Sequence, residues 1–270
     1  MKAKSNAKPK VLVILATLGE RTALLKETLE SISKQQVPYD LVMIYPFSSK
    51  ETAKLAKTYG AKSIEDPGGM SAAVNEGIKS AKQWHKYFTW IGDDDLLSEE
   101  CLKSAVKVLD GNDNRVVAYG NLNYINPDGQ LIFRNRIGKL APLIISWGPN
   151  LMPLPGSVFR TTAVKRVGYF DTTLKYSMDL DLFLRLKRIG TFCHTGKVHA
   201  SFRWHPTSTT VANREKILIE TEFVKNRYLP KIVRPFSFLW DIPVRLATKI
   251  AAQRVNKLAL QLNKSKIQAR

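Results

Sequence analysis

Val11-Leu12-Val13-Ile14-Leu15 is wholly apolar, rich in β-branched side chains, and runs into Ala16-Thr17-Leu18-Gly19. A strand with one wet face alternates apolar and polar residues, whereas an unbroken run marks a strand buried on both faces, the signature of a parallel sheet covered by helices. Downstream, Leu25, Leu29 and Ile32 share one face of a helix predicted over Thr22–Ser33. Leu41-Val42-Met43-Ile44-Tyr45 then gives a second buried strand that stops at Pro46. This is a β-α-β unit, and the rhythm continues: a helix over 51–59, a short strand over 62–64, a helix over 72–81, and the strand Tyr87-Phe88-Thr89-Trp90-Ile91. Repeated strand-helix alternation predicts a doubly wound α/β sheet.

The last of these strands ends in Gly92-Asp93-Asp94-Asp95, and Ser98 is placed to cap the helix that follows, whose apolar side is Leu102, Ala105, Val106 and Leu109. The carboxyl edge of an open α/β sheet is where ligands bind. Three adjacent carboxylates repel by about 4 kcal/mol per pair at 4 Å and an effective dielectric near 20, a cost that a cation relieves. Carboxylate oxygens suit magnesium or manganese, which one or two carboxylates and substrate phosphates usually hold. Beyond Val116-Val117-Ala118-Tyr119 the pattern changes. Asn126-Pro127-Asp128-Gly129 is a turn between short strands, Pro142, Pro149, Pro153 and Pro155 punctuate a loop-rich stretch, and helices are predicted over 161–168, capped by Thr161, over 179–190 and over 213–228. Asp179 and Asp181 open the second of these helices. Asp179 reads either as a plain N-cap or as a carboxylate kept ionised by the helix N-terminus, useful as a general base.

The chain has 270 residues, 44% hydrophobic and 24% charged, which is the composition of a folded protein with a sizeable core. Its two cysteines, Cys101 and Cys193, lack metal-ligand spacing and define no disulfide scaffold, as expected in a reducing compartment. No run of about 18 apolar residues occurs, so neither a membrane-spanning helix nor a signal peptide is expected. The net charge of +19 is uneven: residues 1–10 carry +4, residues 231–270 carry +8 and the long middle only +7. Basic ends on a nearly balanced body point to an anionic partner surface. No RNP, zinc-finger or helix-turn-helix pattern is present, which argues against nucleic acid.

Taken together, the motifs resemble the inverting glycosyltransferases of family 2, with the nucleotide-diphosphosugar transferase (GT-A) fold. The resemblance covers about residues 10–210. It rests on the opening strand with Thr17, on Gly69-Met70-Ser71-Ala72-Ala73-Val74-Asn75-Glu76-Gly77-Ile78 and on Trp90-Ile91-Gly92-Asp93-Asp94-Asp95-Leu96-Leu97. Tyr119-Gly120-Asn121, Asp128-Gly129, Phe159-Arg160, Gly168-Tyr169-Phe170-Asp171 and Met178-Asp179-Leu180-Asp181 extend it in the family's order. It implies that Asp179 is the catalytic base, that Asp95 with His205 binds the divalent metal, Mg2+ or Mn2+, and that Asp94, helped by Asp93, contacts the donor. Thr17, Gly19, Tyr45, Ser48 and Asn75 are implied as further nucleotide-sugar contacts. His205 with Thr207 and Ser208 resembles the segment that closes over the diphosphate. Where the family commonly carries an aspartate pair after its second strand, one of which reads the nucleobase, this chain has Ile44-Tyr45-Pro46-Phe47-Ser48-Ser49.

The implied organisation is a basic tail at 1–10, a GT-A domain at 11–228 divided into a nucleotide-binding half (11–115) and an α+β acceptor half (116–228), and a basic amphipathic C-terminal helical extension at 229–270. In that extension a helix is expected to start at Asp241 and Pro243, with Val244, Ala247, Ile250, Ala251, Val255 and Leu258 as its apolar stripe and Phe236, Phe238, Leu239 and Trp240 before it. Such a helix either lies on an anionic membrane surface or packs on its own domain or in a dimer. The expected activity is inverting transfer of a sugar, from a UDP- or dTDP-sugar, to a hydroxyl of a glycan or lipid-linked acceptor in cell-envelope polysaccharide synthesis, cytoplasmic and peripheral on the inner face of the membrane. The alternative is a non-catalytic scaffold of the same fold that binds glycan enzymes or an anionic membrane.

Overall fold

In the computed structural model the described residues are 8, 10–135, 138–147, 150–205 and 213–268, backbone only at 139 and 262–268. The first half alternates as expected: β1 (Val11–Ala16), α1 (Thr22–Ser33), β2 (Tyr39–Tyr45), α2 (Lys50–Thr58), β3 (Lys62–Glu65), α3 (Met70–Lys79) and β4 (Tyr87–Ile91). Next come β5 (Leu96–Leu97), α4 (Cys101–Asp110), β6 (Arg115–Ile125), β7 (Leu131–Asn135), α5 (Ala141–Ile144), β8 (Val158–Arg160), α6 (Thr161–Val167), α7 (Met178–Lys187), β9 (Thr191–Arg203), α8 (Arg214–Tyr228) and α9 (Phe238–Gln268). Among the described residues the strands form one sheet in the order β3-β2-β1-β4-β8-β6-β9-β5, with β7 on β6. The β3, β2, β1 and β4 strands are parallel, β8 runs against both its neighbours, and β9 is parallel to β6.

The unbroken apolar run of β1 is explained by two cores. Leu12, Ile14 and Ala16 point into one, with Ala73, Val74 and Ile78 of α3 and the apolar side of α7. Val11, Val13 and Leu15 point into the other, with Leu25, Leu29 and Ile32 of α1 and Leu102, Ala105 and Leu109 of α4. Every residue of β1 is buried, and each of its valine, leucine and isoleucine side chains contributes about 1.5–3 kcal/mol on leaving water. One-residue slippage would exchange the two sets, so the register with β2 and β4 is firmly specified. Because Leu15 pairs with Ile91, the loops that leave β1 and β4 emerge side by side.

Several local expectations are corrected. The helix after the acidic turn begins at Cys101, and Ser98 serves it only through its carbonyl, which accepts from the Cys101 N–H at 2.9 Å. Thr161 is the first residue of α6, makes no cap, and has its hydroxyl buried without a hydrogen-bond partner among the described residues. The helix expected over 179–190 starts at Met178, so Asp179 lies inside its first turn and is not its cap. The C-terminal helix starts at Phe238, three residues before the expected start, and holds Pro243 within its first two turns.

Candidate active site

Two carboxylates from distant parts of the chain face one cavity of about 1020 Å3. Asp95, from the turn after β4, lines it together with Trp90, Ile91 and Gly92, and Asp179, from the first turn of α7, together with Asn150 and Ser177. Gly68, Gly69 and Met70 at the start of α3 and the loop Leu151–Pro155 complete much of the lining, and Lys175 and Lys216 supply cations.

Asp95 is 5% exposed. Its Oδ1 accepts from the Arg203 backbone N–H at 3.0 Å, and its pKa is pushed up to about 8, first by burial and then by the charge of Asp94. Arg203 is itself fully buried: its guanidinium donates to the Asp94 and Pro127 carbonyls and to Glu27 Oε2 at 2.6 Å, which fastens the acidic turn to α1 and to the end of β9. A divalent ion bound at this carboxyl would hold it ionised at neutral pH. Among the described residues no three His, Cys, Asp or Glu side chains gather as a ready-made cage. The remaining ligands of such an ion would be donor phosphate oxygens and water, the usual arrangement for magnesium.

Asp93 and Asp94 are engaged differently. Thr17 Oγ1 donates to Asp93 Oδ2 at 2.5 Å and itself accepts from the Gly19 N–H at 2.9 Å. The Arg21 guanidinium bridges the two acids, donating to Asp93 Oδ1 and Asp94 Oδ2. His205 Nε2 lies 3.0 Å from Asp94 Oδ2 and 3.4 Å from Arg21 Nη1. His205 therefore stands with Asp94 in the Arg21 network; Thr207 and Ser208 lie outside the described residues. Arg21 went unread in the sequence. The available signal was the acidic triple itself, which needs a counter-cation, together with a basic residue two positions beyond Gly19 on the adjacent loop. Gly19 has φ +77°, and a Cβ there would come within 2.5 Å of Ser49 Oγ and 2.7 Å of Thr52 Oγ1, so only glycine allows this loop its path.

Asp179 is half-buried, and burial pushes its carboxyl up to about 6 against the pull of its hydrogen bonds. Oδ1 accepts from the Leu180 N–H and Oδ2 from Asn150 Nδ2, both at 2.8 Å. The nearby Glu220 charge also raises it. Glu220, on α8, accepts the backbone N–H groups of Lys175, Tyr176 and Ser177, at 2.9, 2.5 and 2.6 Å, and so ties down the segment that leads into α7. Asp181 is distinguished sharply from Asp179: it is 2% exposed and bound by Arg185 and by the Tyr228 hydroxyl, a structural role.

None of the seven sequence-assigned donor contacts, Thr17, Gly19, Tyr45, Ser48, Asn75, Asp93 and Asp94, is among the residues that line this cavity, and three of them are engaged or placed elsewhere. Asn75 spends its carboxamide on the backbone N–H and carbonyl of Phe170, at 3.0 and 2.9 Å, clamping α3 to the segment between α6 and α7. The Tyr45 hydroxyl donates to Ser63 Oγ at 2.9 Å. Ser48 is exposed at the carboxyl end of β2.

Residues 12–168 match the profile of Glycosyl transferase family 2. An uncharacterized glycosyltransferase of Rickettsia typhi is 25% identical over 248 residues, 86% of this chain and 75% of that protein. Another from Rickettsia prowazekii is 26% identical over 290 residues, covering 98% of this chain and 88% of its own. Among solved structures, S. aureus TarS 1-349 in complex with UDP-GlcNAc is similar with a TM-score of 0.62 at 18% identity, over 80% of this chain and 66% of that one. The mannosyltransferase PcManGT of Pyrobaculum calidifontis, in complex with GDP-Man and Mn2+, gives 0.64 at 16% identity over 98% of this chain and 81% of its own. The likeness of fold to these two enzymes and a profile match across more than half of the chain lead to one conclusion: the protein belongs to glycosyl transferase family 2 and is a glycosyltransferase of the GT-A fold.

Proposed function

We propose that the protein moves a sugar from a nucleotide-diphosphosugar to an acceptor hydroxyl with inversion, Asp179 acting as general base and Asp95 holding a divalent metal. The observation that carries this reading is the pair of carboxylates that line one cavity, whose environments push them to different values, about 6 and about 8. Groups pushed apart in this way take different roles. Asp179, about 6, is largely deprotonated at neutral pH, and its Oδ2 can take the acceptor proton as the hydroxyl attacks the anomeric carbon. The new bond forms on the face opposite the leaving diphosphate, so the configuration inverts. Asn150 and the Leu180 N–H orient the carboxylate. A bound Mg2+ or Mn2+ would supply neutralisation of charge on the departing diphosphate.

The molecules bound in the two structural neighbours, UDP-GlcNAc and GDP-Man, support a nucleotide-sugar as donor. UDP or dTDP remains our favoured nucleotide class. The acceptor we propose is a glycan or a lipid-linked glycan of the cell envelope. The test is slow donor hydrolysis, with water in the acceptor's place, followed by proton NMR. From an α-linked donor the β-anomer should be released first, and Asp179→Asn should abolish release. Initial release of the α-anomer would refute inversion.

A further inference from the structure

Helix α9 has two faces that avoid each other. Asp241, Val244, Thr248, Ala252 and Val255 are half-buried and face the domain, where α9 packs against β7. The nearly buried Lys225 of α8 donates to Asp241 at 2.5 Å, and Trp204 Nε1 donates to Asn256 at 2.7 Å, which fixes the helix in rotation. On the opposite side Leu239, Ile242, Leu246 and Ile250 are exposed, Ile242 by 63% and Leu246 by 59%. At 3.6 residues per turn these four fall within about a quarter of the circumference. The stripe is continued before the helix by Ile232, 84% exposed, and Phe236. Lys249, Arg254 and Lys257 flank it, all exposed and without an ion pair among the described residues.

We infer that this outward stripe, with its flanking cations, docks the protein on an anionic phospholipid surface, lying in the headgroup plane. The domain already occupies the helix's other face, so packing on the chain's own body does not cover the stripe. A second copy is disfavoured by charge: pairing two such faces would bring Lys249, Arg254 and Lys257 of both copies together, within a segment of +8. Anionic headgroups complement those cations, while the aliphatic and aromatic side chains suit the acyl boundary. No helix among the described residues is long and apolar enough to cross a membrane, so the contact is with the surface. The helix packs on β7, whose Asn135 also lines the cavity, so docking would hold the active site near the bilayer, within reach of an acceptor carried on lipid. The docking itself does not depend on the catalytic reading.

Flotation of the full chain with vesicles tests it. Binding to phosphatidylcholine vesicles containing phosphatidylglycerol, weakened by high salt and at least about tenfold tighter than to phosphatidylcholine alone, is expected. Lys249→Gln/Arg254→Gln/Lys257→Gln should weaken partition by about 100-fold, roughly fivefold per cation. Ile242→Ser/Leu246→Ser/Ile250→Ser, all outward-facing, should abolish flotation while circular dichroism and donor binding stay unchanged. Failure of the wild-type chain to float, equal binding to neutral vesicles, or a dimer in light scattering that the serine triple dissolves would each overturn the inference.

Discussion

Replacing Asn150 by Ala removes the amide donor 2.8 Å from Asp179 Oδ2 and leaves the rest of the base's surroundings in place. Hydrogen bonds to a charged group contribute about 1.5–3 kcal/mol, which at 1.36 kcal/mol per pH unit is a rise of ~1–2 units in the carboxyl's pKa. The acidic limb of kcat/KM should therefore move from about 6 in the wild type to ~7–8. At pH 6 the variant should be slower by about 5- to 50-fold, and near pH 9 the two should converge, because both bases are then ionised. Stability carries the same sign. A carboxyl raised in the folded state binds its proton more tightly there than in the unfolded chain, so its contribution is whole below about 3.9 and is lost as pH rises through the folded value. For the wild type that loss ends near pH 6; in Asn150→Ala it extends further, so the variant should be destabilised more at neutral than at acidic pH. Donor turnover across pH 5 to 9, with melting curves at both ends, checks this. An acidic limb that stays in place, or moves to lower pH, would show that Asn150 does not set the protonation of Asp179 and would sink the reasoning.

Glu220→Gln should move the same limb the other way, to lower pH, because it removes a charge that raises Asp179. It should also lower the melting temperature, by about 1–3 kcal/mol in stability, since an amide oxygen accepts the Lys175, Tyr176 and Ser177 N–H groups less well than a carboxylate. Gly19→Ala places a side chain at φ +77° and against Ser49, and should cost about 1–3 kcal/mol in denaturant unfolding, with weaker donor binding as the loop beside Asp93 shifts. An alanine variant as stable as wild type would contradict that loop geometry.

The parallel half was legible because its strands carry their burial in the sequence. Runs as apolar as those of β1, β2 and β4 can only sit between two layers. The second half was not, for physical reasons. The β8 strand is three residues long, and β9 is a mixture of polar and apolar residues, such as His194, Thr195 and Lys197, only partly covered by neighbours, so neither shows a period. Asp95 and Asp179 were legible as candidates from their places at a strand's end and a helix's start together with the family resemblance, and both line the cavity. Their supports were not, since Arg21 lies 72 residues from Asp93, Asn150 29 from Asp179 and Glu220 43 from Ser177. Nothing local marks a residue whose partner is that far along the chain. Asn75 illustrates the converse: its motif pointed to the nucleotide, and tertiary packing spends its amide on Phe170.

The central claim, that Asp95 holds a divalent metal for the donor, is tested most directly by calorimetric titration of the chain with UDP, dTDP and GDP, each with Mn2+ and with chelator, for wild type and Asp95→Asn. With a carboxyl at about 8, metal-assisted binding should release a proton, so the heat should vary with the buffer's ionisation enthalpy and the affinity should rise by up to about tenfold per pH unit below that value. One nucleotide should bind wild type only with metal, and Asp95→Asn should lose that dependence. Equal affinity for wild type and variant in Mn2+, or binding to wild type that chelator leaves unchanged, would contradict the account.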